Sequence, residues 1–286
     1  MANTGASVAG EALEAATDAL AAAGIGTARL DAEVLLEEAT GIGRASLLAV
    51  PERQLDGDAA RRFAEMVRRR LQREPVAYIV GRKGFRNLEL KVDRRALIPR
   101  PETELLVELA LEVQPLLALD IGTGSGALAL AMVDELPICE VIASDTSPAA
   151  LTLARENAVM LGLGERVRFI EGSWPSDPVR FDLVVANLPY IPEGDSTTLQ
   201  PEVVGFEPHE ALFAGPQGLD AFEWLASALA AGEFAARVVG LEVGIGQAAT
   251  VAGLMRRAGA TDVEIRPDLA GIDRVVVSWW GGRDGR

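Results

Sequence analysis

From residue 116 onward the chain repeats one pattern: a short apolar run, a turn, then a longer amphipathic segment. The stretches 116–120, 141–145, 167–170, 181–186 and 238–243 read as strands, and 125–135, 148–161, 218–231 and 247–258 as helices. Strands that alternate with helices pair in parallel, with the helices covering both faces of the sheet. Two further strands, 263–266 and 274–278, flank a tight loop with Pro267 and Gly271 and predict a terminal antiparallel hairpin. The expected fold is therefore α/β. Open sheets of this kind bind ligands at the C-terminal ends of their strands, so function is sought in the turns that follow.

The first third reads differently. Helical patterns cover 7–23, with Leu13, Ala16 and Leu20 on one stripe, then 30–39, 45–50 and 58–73. Asp58 can cap the last of these, with Phe63, Met66, Val67 and Leu71 inward. A small helical bundle over 1–75 is expected, suited to docking rather than catalysis. Tyr78-Ile79-Val80 and 88–92 have strand composition, so 76–96 is expected to be a β-hairpin linker to a domain over 97–286. Pro99 and Pro101 then impose an extended segment. The second proline can open a helix to 113, with Glu102 and Glu104 suited to its first turn.

The chain of 286 residues is 49% hydrophobic and carries a formal net charge of -15. That balance disfavours a broad phosphate-tracking surface, so no stable hold on nucleic acid is expected. Arg61, Arg62, Arg68, Arg69, Arg70 and Arg73 recur at helical spacing and read as a solvated face. The one cysteine, Cys139, and the one histidine, His209, allow neither a disulfide nor a His/Cys metal cluster; no metal is expected. Cys139 reads as buried and inert, and His209 as a loop residue between Pro208 and Glu210. The N-terminus lacks the basic start and apolar core of a signal peptide, and no long apolar run is free of charge. A cytoplasmic monomer away from membranes is the expectation.

Asp120-Ile121-Gly122-Thr123-Gly124-Ser125-Gly126 follows one strand and opens a helix. Glycines there let the backbone turn tightly against a ligand. Asp145 ends the next strand, where a carboxylate can accept from both ribose hydroxyls. Together they point to a nucleoside-containing cofactor. The glycines also fit a dinucleotide fingerprint, with Ala127 in last place, so NAD stays open on this loop. Against it, no second nucleotide-binding half and no hydride-transfer acid are evident. A carboxylate at Asp120 would repel a pyrophosphate, yet suits the amino end and sulfonium of S-adenosylmethionine. Trp174, after the third strand, can offer a stacking face to adenine. Asn187-Leu188-Pro189-Tyr190 follows the fourth strand as a rigid polar turn.

These residues resemble the class I S-adenosylmethionine-dependent methyltransferases that act on planar amino groups, which carry Asn/Asp-Pro-Pro-aromatic after the fourth strand. Longer stretches resemble the protein-(glutamine-N5) methyltransferases of class-1 peptide chain release factors, the PrmC or HemK family. They are Arg73 to Gly81, Leu97-Ile98-Pro99-Arg100-Pro101-Glu102-Thr103-Glu104, Glu207-Pro208, Gly218-Leu219 and Glu242-Val243-Gly244. The resemblance covers essentially the whole chain. It implies a Rossmann-like methyltransferase sheet behind a small helical domain, and methyl transfer to the glutamine of a Gly-Gly-Gln tripeptide in the release factor. It also implies that Gly122, Thr123, Gly124, Ser125, Gly126, Asp145, Trp174 and Asn187 bind S-adenosylmethionine. Asn187, Leu188, Pro189 and Tyr190 would hold the glutamine, with Asn187, Pro189 and Tyr190 carrying the catalysis.

A carboxamide nitrogen is a poor nucleophile, because its lone pair is delocalised. Two acceptors aimed at its N–H groups would align it and favour the charge it develops. The Asn187 side-chain oxygen and the main-chain carbonyl of residue 188 suit that task, with Tyr190 packed on the flat amide. Leu188 stands where the family has proline, which removes one φ restraint but keeps the carbonyl. Asn-Leu-Pro-Tyr also resembles the ribosomal-RNA adenine dimethyltransferases, so an adenine N6-methyltransferase on RNA or DNA is the rival. A non-catalytic nucleotide-binding adaptor is the third reading. The acidic balance opposes the second, and the joint presence of glycine loop and tetrapeptide opposes the third.

Overall fold

The computed structural model describes residues 8–176 and 179–281. Its helices are α1 (Ala9–Ala22), α2 (Ala28–Thr40), α3 (Arg44–Ala49), α4 (Gly57–Leu71), α5 (Val76–Val80), α6 (Glu104–Val113), α7 (Ala127–Glu135), α8 (Pro148–Leu161), α9 (Pro201–Phe206), α10 (Asp220–Ala231) and α11 (Ala248–Arg257). Its strands are β1 (Arg82–Phe85), β2 (Leu88–Lys91), β3 (Leu117–Ile121), β4 (Glu140–Asp145), β5 (Val167–Glu171), β6 (Arg180–Ala186), β7 (Ala235–Glu242), β8 (Asp262–Pro267) and β9 (Asp273–Trp279). They form two compact units. One is Met1–Gly81 with Gln200–Phe206, and the other is Arg82–Leu199 with Glu207–Arg286.

The helical unit buries the expected stripe of Leu13, Ala16 and Leu20 against Leu35, Leu36 and Phe63. Three details differ from the sequence reading. The cap of α4 is Asp56, whose Oδ1 accepts from the N–H groups of Asp58 (2.9 Å) and Ala59 (2.7 Å). Asp58 is already the second residue of the helix, and its own N–H is one of the orphan donors that the cap satisfies. Tyr78-Ile79-Val80 is helix, not strand. Tyr78 and Ile79 are buried, and Gly81 at φ 81° closes the turn, so burial overrides a β-prone composition. The arginines of α4 are not one solvated face. Arg70 is buried, with Nε 2.7 Å from Asp31 and an Nη 2.7 Å from Glu202 of α9; Arg73 reaches the same Glu202 at 3.2 Å. Leu71, expected inside, is largely exposed.

In the second unit, β1 and β2 make an antiparallel hairpin. The main sheet has seven strands in the order β5-β4-β3-β6-β7-β9-β8. The five from β5 to β7 run parallel, and β9 lies antiparallel between β7 and β8, so the terminal hairpin folds back into the sheet. Alternate side chains feed two cores. From β6, Leu183 and Val185 join one face, while Val184 and Ala186 join the other with α10 and α11; Phe181, at the start of the strand, departs from the alternation and packs with the second set. The strand order reverses at β3, whose neighbours are β4 and β6. Pairing of Ile121 with Ala186 brings Gly122 and Asn187, the next residues of each strand, side by side. This is the position where open α/β sheets leave a crevice for ligands.

The α7 helix starts at Ala127 rather than 125. Gly122, Gly124 and Gly126 all hold positive φ (75°, 56° and 86°), which no helix continues through. The helix expected from Pro101 to 113 starts as a 3₁₀ turn at Pro101–Thr103 and continues as α6, whereas short helical turns at Glu193–Thr198 and His209–Ala211, and the helix α9, had no signal in the periodicity. Among the described residues, no helix is long and apolar enough to cross a membrane.

Candidate active site

A cleft of about 510 Å³ opens over the C-terminal ends of β3, β4 and β6. Gly122, Thr123, Gly124, Ser125, Asp145, Asn187, Leu188 and Pro189 line it, so two motifs 61 or more residues apart in sequence meet in one wall. Three expected residues stand outside that lining. Gly126 instead lets α7 and α8 approach: a Cβ there would sit 3.1 Å from Leu130 and 3.3 Å from Ala154. Trp174 stacks on Trp224 at 4.7 Å between ring centroids and leans on Phe234 at 4.9 Å. It is Trp224, partly exposed on α10, that lines the cleft. Tyr190 lies behind the wall, its hydroxyl donating to Glu242 Oε1 at 3.3 Å.

Two carboxylates of the cleft, Asp145 and Asp120, are held by named hydrogen bonds. Asp145 accepts from Gly124 N (2.9 Å, Oδ2) and Ser147 N (2.8 Å, Oδ1), which ties the glycine loop to the start of α8. Burial raises its carboxyl above the ordinary aspartate value. Asp120 is fully buried. Its Oδ2 accepts from Thr123 Oγ1 at 2.7 Å and Ala129 N at 3.2 Å, while its Oδ1 has no hydrogen-bond partner among the described residues. An orphan carboxylate oxygen in a cleft wall is costly and awaits a donor. Burial pushes Asp120 up to about 7, and the charge of Asp145 adds to the rise.

The tetrapeptide is braced from behind. The Leu188 side chain is buried and lies 3.7 Å from where a Cβ on Gly122 would be, so it caps the glycine loop. Gln247 donates Nε2 to Tyr190 O (2.8 Å) and Gly218 O (3.2 Å), and its Oε1 accepts from Gly244 N (2.9 Å). Asn187 Nδ2 donates to Thr103 Oγ1 at 3.0 Å, and Thr103 donates to Glu242 Oε2 at 2.6 Å. Glu242 ends β7 almost wholly buried, and burial pushes its carboxyl up to about 7. Glu207 accepts from Ile98 N (3.0 Å) and Arg100 (2.5 Å), holding the proline-rich segment in place. His209, exposed, packs its ring on Phe213 at 4.4 Å and does not line the cleft. Cys139 is buried, which raises its thiol to about 11.

Sequence reasoning reached Glu242 within the resembling stretch Glu242-Val243-Gly244 and Thr103 only within Leu97 to Glu104, and gave Gln247 no role. A carboxylate among the apolar residues of 238–243 was the one available signal for Glu242. Thr103 gave none, since its partners Asn187 and Glu242 are distant in sequence, and neither did the contacts of Gln247 with Tyr190 and Gly218.

The chain was compared with known proteins. The family model "PrmC N-terminal domain" matches residues 11–81, and a methyltransferase-domain model matches 118–204. Release factor glutamine methyltransferase of Caulobacter vibrioides is 40% identical over 269 residues, covering 92% of this chain and 93% of that one. The proteins of the same name from Cereibacter sphaeroides (43%, covering 94% and 97%) and Deinococcus radiodurans (41%, covering 92% and 95%) agree. The chain belongs to the release factor glutamine methyltransferase family. It is an S-adenosylmethionine-dependent methyltransferase, and the donor set of the cleft fits that cofactor. Asp120 Oδ1 is an unmet acceptor for an ammonium group, and each oxygen of Asp145 keeps a lone pair for a ribose hydroxyl. The fold is shared more widely. The catalytic domain of human METTL16, solved with an RNA hairpin, superposes with a TM-score of 0.55 at 13% identity, covering 68% of this chain and 76% of that one. A methyltransferase from Pyrococcus furiosus does so with 0.51 at 16%, covering 76% and 98%.

Proposed function

We propose that this chain transfers a methyl group to the side-chain amide N5 of the glutamine in the Gly-Gly-Gln motif of class-1 peptide chain release factors, at the cleft between β3 and β6. The observation that carries the residue roles is the β3–β6 register, which sets Gly122 and Asn187 in one wall. Bound S-adenosylmethionine supplies an electrophilic methyl on a sulfonium. The residues from Gly122 to Ser125 cradle it, Asp120 meets its ammonium end, and Asp145 takes the ribose. Asn187 Oδ1 and the Leu188 carbonyl accept from the two N–H groups of the incoming amide, which aligns its nitrogen and favours the positive charge it develops. Neither oxygen accepts a hydrogen bond among the described residues. Leu188 in place of proline leaves this intact, because the group needed is the carbonyl. Its side chain restores by burial some of the rigidity a ring would give. Pro189 restricts the backbone, and Tyr190 braces the turn from behind. The nitrogen loses its proton to water after transfer.

The helical unit is read as the docking domain for the release factor. The same reading takes the chain as a cytoplasmic monomer with no lasting hold on nucleic acid, as its net charge of -15 supports. One assay tests the activity: labelled S-adenosylmethionine is offered with release factor, with its Gln→Ala variant in the Gly-Gly-Gln loop, or with ribosomal RNA. Label is expected on the first alone. Label on RNA and none on release factor would overturn the reading.

A further inference from the structure

An asparagine side chain has two faces of opposite polarity and nearly equal shape. Turned the wrong way, Asn187 would show an NH2 to the substrate's own NH2. Thr103 and Glu242 decide the matter. Ionised, as it is at pH above about 7, Glu242 can only accept, so the single proton of the Thr103 hydroxyl goes to its Oε2, 2.6 Å away. The Thr103 oxygen can then only accept from Asn187, which must present Nδ2 to it, at 3.0 Å. That leaves Oδ1 to the cleft. Tyr190 donates to the other Glu242 oxygen at 3.3 Å, so both ends of the tetrapeptide depend on one carboxylate. Thr103 and Glu242 are buried, so water does not compete for these bonds. The arrangement also accounts for an acidic side chain at the end of an apolar strand, where an uncompensated carboxyl would be a liability.

From this geometry we infer that Thr103 and Glu242 are positioning residues: together they set the polarity of the Asn187 amide, and so select an acceptor that offers two N–H groups. The inference rests on the reading of Asn187 as acceptor for the substrate amide. Both act through Asn187, and neither is assigned a bond to the reacting atoms.

The test is a double-mutant cycle of T103V and N187A with T103S as the conservative variant. Single-turnover rates on release factor are measured beside calorimetric S-adenosylmethionine affinity and thermal melts. T103V is expected to lower kcat by ~10²-fold, the scale of a misplaced reacting group, with KM and cofactor affinity nearly unchanged. T103S should recover most of the rate. T103V/N187A should be no slower than N187A alone, because no acceptor remains to be turned. E242L frees the threonine proton to bond Asn187 Oδ1, and should be as slow as T103V. A wild-type rate in T103V, equal losses in T103S and T103V, or multiplying losses in the double variant would each overturn the inference. Should T103V not fold, T103C against T103S makes the same comparison. Wild-type turnover by N187A would instead remove the underlying reading. Full-rate T103V beside inactive N187A would remove only the role of the pair.

Discussion

At the scale of single residues, two side chains carry separable tasks. Asn187→Ala removes one acceptor and should lower kcat by about 10²- to 10³-fold, the range seen when one preorganised transition-state partner is lost. Cofactor affinity should remain measurable by calorimetry. Asp120 makes a pH-dependent prediction. Its folded pKa of about 7 lies above the 3.8 of an ordinary aspartate, with Thr123 and the Ala129 N–H as bonding neighbours and Asp145 as the charged one. The neutral acid is thus the form the empty fold prefers. A raised folded pKa means stability that is present at low pH and is lost as pH climbs toward 7. Melting curves should show the advantage of Asp120→Asn over wild type widening from pH 4 to pH 7, then levelling. An ammonium group prefers the ionised form, so S-adenosylmethionine should bind more tightly at pH 8 than at pH 6, with proton release on binding. Asp120→Asn should flatten that pH dependence.

At the scale of elements, the cleft is a product of how three loops after β6, β7 and the 3₁₀ turn at Pro101–Thr103 are pinned together. Gln247, just before α11, joins two of these loops and the Gly218 turn with three hydrogen bonds. Gln247→Ala should lower unfolding free energy by about 2 kcal/mol, at roughly 1 kcal/mol per bond with partial replacement by water, and should also lower kcat/KM on release factor. Denaturant melts and steady-state rates would check both. Gly218 holds φ 67°, and a Cβ there would sit 2.2 Å from the Tyr190 carbonyl oxygen. Gly218→Ala should therefore disturb the tetrapeptide more than the fold. The strand and helix rhythm that defines these elements was readable because both faces of the central strands are buried, so the runs in β3, β4, β6 and β7 are mostly apolar. The loops' own order was not. Thr103 meets Asn187 and Glu242, and Gln247 meets Tyr190, across more than fifty residues, and no periodicity reports such a meeting. Trp174 shows the same gap: its place after β5 suggested a ligand face, while packing against Trp224 and Phe234 gives that face to Trp224.

For the whole molecule, the resemblance and the strand alternation made the methyltransferase sheet legible in outline. The helical unit was legible only as helices. Beside its apolar core lies an ion cluster that sequence spacing assigned to solvent. Arg70 sits in the interior with Asp31 and Glu202. Arg70→Ala would leave buried Asp31 without a counter-charge and Glu202 with Arg73 alone, and should cost about 3–5 kcal/mol. Arg70→Met should cost less if Asp31 and Glu202 are made neutral with it. Denaturant titration of the full chain would show the difference. The segment Gln200–Phe206, which carries Glu202, groups with the helical unit although its flanks belong to the other. The chain therefore passes between the two units three times, after Gly81, after Leu199 and after Phe206. Two relatives could not exchange their helical units by one splice near residue 81, the border of the family model for that domain. Such a hybrid would inherit Arg70 from one parent and Glu202 from the other. The two halves of this protein are thus constrained to drift together, and a working chimera has to be cut on both sides of a seven-residue insert as well as at the obvious boundary.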